Sequence, residues 1–107
     1  MFYNRVLNNY IKALGGVTYK TLAYGDKTSL CEFRIEKGSV VPNHSHPHEQ
    51  TGYMISGRMI FTIDGEDHNA EAGDSWSIPG NVEHSVEVLE DSVVIEVFSP
   101  VREDYLP

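Results

Sequence analysis

Cysteine is nearly missing from this chain. Cys31 is the single one, so no intramolecular disulfide can form and a reducing compartment suits the protein. Its setting, SLCEFRI, reads as a strand, which makes Cys31 a small buried apolar side chain rather than a catalytic thiol. Positive charge is also scarce, since 8 Lys and Arg stand against 16 Asp and Glu for a net charge of −8. Without a basic cluster nucleic acid is excluded as a partner, and an anionic small molecule needs a local cation or a metal to enter. Long apolar runs are absent too. No stretch approaches the roughly 20 apolar residues of a membrane span, and MFYNRVLNNY lacks a basic start followed by an apolar run, so no membrane partner and a cytoplasmic location are expected. Repeats, low-complexity segments and linkers are missing, and 107 residues suffice for one core and one domain.

What is present is period-two alternation. VTYKTLAY and TSLCEFRIEK flank a Gly25-Asp26 turn and read as two antiparallel strands. In the second, Leu30, Glu32, Arg34 and Glu36 contrast with Cys31, Phe33 and Ile35, giving one wet and one dry face. Strands are expected near 39 to 43, 49 to 56 and 58 to 63, with Gly57 in a hairpin corner, and Asp64-Gly65 is a strong turn signal. EDHNAEA, SWSIP, HSVEVLE and SVVIEVFS complete a series of short strands punctuated by Gly, Asp and Pro. Such spacing predicts an all-β sandwich or barrel and leaves no room for a βαβ unit. Residues 1–16 form an N-terminal arm before a barrel domain at 17–107. The secondary structure of the arm stays open, because Val6, Leu7, Tyr10, Ile11 and Leu14 fit a helical spacing while Asn8 and Asn9 favour a turn. Its apolar residues are hard to bury on one small barrel, so a homodimer is expected; a mass near that of one chain in light scattering would reject it.

The chemistry concentrates in GSVVPNHSHPHEQTGYMISG, residues 38–57, with three histidines, Glu49 and Gln50 inside seven positions. Imidazole nitrogen and amide or carboxylate oxygen are ligands for Zn, Fe, Ni and Mn. His44 and His46 share strand parity and converge on one face. Gln50 keeps that parity if the strand runs on without a bulge, whereas a bulge after Pro47 turns Glu49 inward instead. His84, which follows a Pro-Gly-Asn turn and opens another strand, is the candidate fourth ligand. His48 is a spare donor suited to supporting the ligands or facing a substrate.

Two further residues stand out. Glu96 lies in VVIEVF between apolar neighbours on both faces, and a shielded carboxylate rises in pKa toward the range useful for acid/base work. Arg102 is one of few cations, able to hold a substrate carboxylate through paired hydrogen bonds. Arg34 and Arg58 compete for that role.

Gly38, His44-x-His46, Gln50 and Gly57 resemble the first cupin motif, with Gln where the pattern has Glu. Gly73, Pro79 and His84 resemble the second, with Asn81 in place of its Gly and Val88 in place of its Asn. The resemblance implies a jelly-roll β-barrel with one divalent transition metal, Ni, Zn, Fe or Mn, held by His44, His46, Gln50 and His84. EVFSPVREDYL, together with HSHPHEQ and the short chain, is similar to the cupins of pectin and alginate degradation that linearise unsaturated monouronates. In that family an acid, a Phe two positions on and an Arg four positions further line the pocket. Glu96, Phe98 and Arg102 fall on those positions, with Glu where the family carries Asp. The implied activity is metal-dependent conversion of a cyclic 4,5-unsaturated uronate, a small sugar acid, to its open-chain keto form. Two alternatives use the same ligands: a metal-dependent dioxygenase or isomerase on another small molecule, and a cupin that binds a sugar or metal without turnover.

Overall fold

The computed structural model describes residues 1–107. Its strands are β1 (Ile11–Leu14), β2 (Val17–Tyr24), β3 (Ser29–Ile35), β4 (Val40–His44), β5 (Glu49–Ile63), β6 (Glu66–Glu71), β7 (Ser75–Ile78) and β8 (His84–Ser99), followed by one 3-10 turn at Glu103–Tyr105. All pairings are antiparallel. The hydrogen-bonded order is β1-β2-β3-β8-β5-β6, with β4 on β8 and β7 on β5. The path does not close, because β1 and β6 end it without pairing to one another.

The long strands β5 and β8 build the roll. They pair from Glu49↔Ser99 to Ile63↔His84, with register breaks between Met54 and Met59. On either side of those breaks each strand changes neighbours. The first part of β5 pairs with β7 and the last with β6, while β8 pairs first with β4 and later with β3. A strand that bends at bulges and serves two sheets makes the corner of a sandwich. The expected hairpin corner at Gly57 is therefore corrected to a bend within one strand, and HSVEVLE and SVVIEVFS are two halves of another. Gly57 has φ 94°, and a Cβ there would overlap the Ser92 side chain and the Asp91 carbonyl. Only glycine fits that crossing. The true tight turn follows at Asp64-Gly65, both at positive φ (51° and 79°), which matches the twist of a two-residue hairpin.

Alternation places the core. Ser29, Cys31 and Ile35 of β3 are buried, while Arg34 is exposed. Val17, Ile35, Met54, Met59, Phe61, Ala70, Ile78, Val86, Val88 and Val94 form one buried cluster between the sheets. The tail is anchored by Tyr105, whose ring packs on Tyr19 at 4.3 Å between centroids and on Phe33 at 5.8 Å. Thr21 Oγ1 donates to the Tyr105 carbonyl at 2.7 Å, and the Arg102 N–H donates to Ser29 Oγ at 3.1 Å. These contacts fold the tail across one end of the roll. No helix is long and apolar enough to cross a membrane.

The N-terminal arm contains β1, which adds to the edge of β2. Upstream, Lys20 Nζ donates to the carbonyls of Val6 (2.7 Å) and Asn8 (2.8 Å), and Tyr10 OH donates to Glu32 at 2.6 Å. Met1, Phe2 and Leu7 remain exposed. Burial pulls the Glu32 pKa upward, but hydrogen bonds from Tyr10 and Arg34 outweigh it and hold the group below its ordinary value. A carboxylate with a depressed folded pKa contributes stability that is present above its unfolded pKa and lost as pH falls through the folded value. Hydrogen-exchange protection of the β1 amides is thus expected to drop at acid pH, and Tyr10→Phe to flatten that dependence; equal protection at both pH values would contradict the clip.

Candidate metal centre and pocket

Backbone pairing sets the three histidines together. His44 ends β4 directly opposite His84, the first residue of β8, and His46 follows in the turn leading to β5. Ring centroids are 4.2 Å apart for His44–His84, 5.0 Å for His46–His84 and 5.7 Å for His44–His46. One ligand nitrogen from each lies within 4.8 Å of the others.

The tautomers are fixed by backbone carbonyls. His44 Nδ1 lies 2.8 Å from Pro42 O, His46 Nδ1 3.0 Å from His48 O, and His84 Nδ1 2.9 Å from Val82 O. A carbonyl can only accept, so each Nδ1 carries the proton and each Nε2 keeps a free lone pair, the arrangement that metal-binding histidines adopt. Burial, the positive Arg102 and the neighbouring His84 push the His46 pKa down to about 4. Burial likewise lowers His84. Both rings are neutral at pH 7 and able to ligate. His46 Nε2 is buried with no hydrogen-bond partner, and an orphan of that kind costs about 1–3 kcal/mol unless something occupies its lone pair. The donor set and the orphan fit a divalent metal.

Gln50 and Glu49 separate by parity. Gln50 faces inward and is buried, Glu49 is exposed, and they pair with Phe98 and Ser99 without a bulge between them. Of the two, only Gln50 shares a pocket with the three histidines. His48 stands outside the triangle: its carbonyl orients His46, and its ring meets His46 at 5.5 Å and Phe98 at 6.5 Å. His44, His46, Gln50, His84, Glu96, Phe98 and Arg102 all line one pocket, whose remaining wall is largely apolar and includes Phe33, Phe61, Val94 and, from β1, Ala13 and Leu14. Arg34 and Arg58 are not part of it.

Glu96 is on the inward face of β8 between Val94 and Phe98 and is only 5% exposed. Burial raises its pKa to about 8, against the opposing pull of the Trp76 N–H and the Gln50 amide. At neutral pH it is a carboxylic acid holding its proton. Arg102 is anchored by Asp104, with Nε to Oδ1 and Nη2 to Oδ2 both at 2.9 Å. Its guanidinium lies over Tyr105 at 4.1 Å and Phe98 at 5.0 Å. Burial lowers the Arg102 pKa, yet the Asp104 pair more than restores it, so the charge persists with the Nη1 edge left for a ligand.

Sequence reading missed the His48 carbonyl under His46, the Tyr105 ring under the Arg102 guanidinium, and Trp76, whose Nε1–H donates to both Glu96 oxygens at 3.2 Å. Gly52 carried a signal, because an isolated glycine inside a strand marks close approach of another group.

A jelly roll of antiparallel strands with a histidine triangle at its pocket defines a small all-β protein whose three histidines could hold a metal ion. Residues 31–99 match the cupin domain, and the chain belongs to the cupin family. It is 32% identical over 93 residues to the pectin degradation protein KdgF of Dickeya dadantii (strain 3937), covering 85% of this chain and 84% of that one. Among solved structures, KdgF from a Halomonas species superposes with a TM-score of 0.92 at 29% identity, covering 99% of this chain and 98% of that chain. An RmlC-like cupin from Shewanella frigidimarina NCIMB 400 gives 0.88 at 27% identity, covering 94% and 90%.

Proposed function

We propose that this cupin converts a cyclic 4,5-unsaturated monouronate to its open-chain keto form. The observation that carries the reading is a buried acid, Glu96, whose pKa burial raises, and Arg102 in one pocket with the histidine triangle. Similarity to a protein of pectin degradation supports a sugar-acid substrate, and the burial of Glu96 supports catalysis over binding alone.

His44, His46, Gln50 and His84 would hold the metal. Bound there, it supplies Lewis-acid polarisation of substrate oxygens. Arg102 orients the substrate through its C6 carboxylate, and Phe98 packs on the ring, itself held against His46 at 5.9 Å. Ring opening breaks the bond between C1 and the ring oxygen, forms the C1 aldehyde as the O1 proton leaves, and places an enol at C4–C5. Glu96 delivers its proton to C4, C5 becomes a ketone, and the carboxylate regains the proton released from oxygen. Atoms and charge balance, and no oxidant or organic cofactor enters.

Arg102→Ala is expected to weaken substrate binding by about 1.5–3 kcal/mol, the worth of a hydrogen bond to a charged group. KM then rises roughly ten- to hundredfold, with a smaller change in kcat. The reading is tested by adding metal-loaded protein to unsaturated monouronates and following the conjugated-acid absorbance. Rapid loss supports it. Oxygen uptake in its place points to a dioxygenase, and tight binding with no absorbance change to a sugar-binding cupin.

A further inference from the structure

Trp76, Gly52 and Glu96 form one row across three strands. Gly52 of β5 is paired with Trp76 of β7 on one side and Glu96 of β8 on the other. Residues directly opposite in antiparallel strands project to the same face, so both long side chains reach over the glycine and meet above it. A Cβ on Gly52 would overlap the indole and crowd the Glu96 carboxylate. Every other residue type would separate the pair. The indole is fixed in turn by Phe61, edge to face at 5.0 Å and 65°.

We infer that Trp76, seated on Gly52, is a positioning residue that fixes the direction of the Glu96 carboxyl group toward the substrate. An indole N–H only donates, so it orients the carboxyl group without competing for a proton. Trp76 itself lines a separate cleft beside β6, with His68, Asn69 and Ser77, and is not among the residues of the substrate pocket. It acts through Glu96. The inference rests on Glu96 being the acid proposed above.

Trp76 is the single tryptophan in the chain, so one indole N–H resonance reports the contact. In the metal-loaded protein that resonance is expected to shift on Glu96→Gln. Trp76→Phe, which keeps an aromatic ring but removes the donor, is expected to lower kcat by on the order of 10²-fold, the cost of misplacing a reacting group by about 1 Å. KM and metal content stay unchanged. In the Glu96→Gln background the same substitution costs nothing further, because its effect passes through the carboxyl. Gly52→Ala reproduces the kcat loss. An unmoved indole resonance, full kcat in Trp76→Phe, or equal losses in both backgrounds would overturn the role of Trp76 while leaving the proposed reaction intact. Full activity in Glu96→Gln alone would overturn the proposed reaction chemistry, and this inference with it.

Discussion

Replacing Glu96 by Gln is expected to lower turnover by on the order of 10² to 10⁴, the usual contribution of a positioned acid/base, with metal content unchanged. Gln preserves the length, the planarity and one acceptor for the Trp76 N–H, so the 3.2 Å contacts retain a partner. What disappears is the transferable proton. Because Glu96 is buried in the wild type and protonated up to about pH 8, the amide replaces a neutral group by a neutral group and leaves folding little changed. A folded variant with intact metal and full kcat would remove Glu96 from the chemistry and make His48, in contact with Phe98, the next acid to test.

The second large effect is at His46. His46→Ala is expected to abolish stoichiometric metal retention on dialysis and lower turnover on the order of 10³-fold, as several kcal/mol of charge stabilisation are lost with the ion. A stability readout accompanies it. The buried, unpartnered Nε2 means that metal binding satisfies a group the metal-free chain leaves orphaned, and a ligand that binds only the folded state raises its stability. Added divalent metal therefore raises the unfolding temperature of the wild type and not of His46→Ala. An equal rise in both would place the ion elsewhere.

Much of the architecture was legible because strand alternation and turn chemistry are local. The burial of Ser29, Cys31 and Ile35 follows from period two, and the Asp64-Gly65 hairpin from two residues that tolerate positive φ. Gly57 misled for the same reason. Positive φ suits both a hairpin corner and a bulge, and the difference is set by Ser92 crossing overhead, a contact thirty-five residues away in sequence. At the site, apolar neighbours on both faces pointed to a shielded Glu96, parity left Gln50 and Glu49 as alternatives, and the two motifs pointed to His84. Pairing of His44 with His84 needed the fold, as did the Nδ1 bonds that fix the tautomers. Trp76 stayed hidden since its partner lies two strands across, joined through a glycine that has no side chain to reveal it. Acidic residues follow Arg102 directly in sequence, and the turn at Glu103–Tyr105 is what sets Asp104 and the Tyr105 ring against its guanidinium.

In the proposed reaction a proton reaches C4 of the substrate as the ring opens. The most direct measurement is NMR of a 4,5-unsaturated monouronate in deuterated water, with metal-loaded wild type and Glu96→Gln side by side. The wild type is expected to form the open-chain ketone far faster than the uncatalysed reaction, with one deuterium newly delivered to C4, while the variant runs at least 10²-fold slower. Conversion no faster than in the absence of protein, or equal conversion by both proteins, would contradict it.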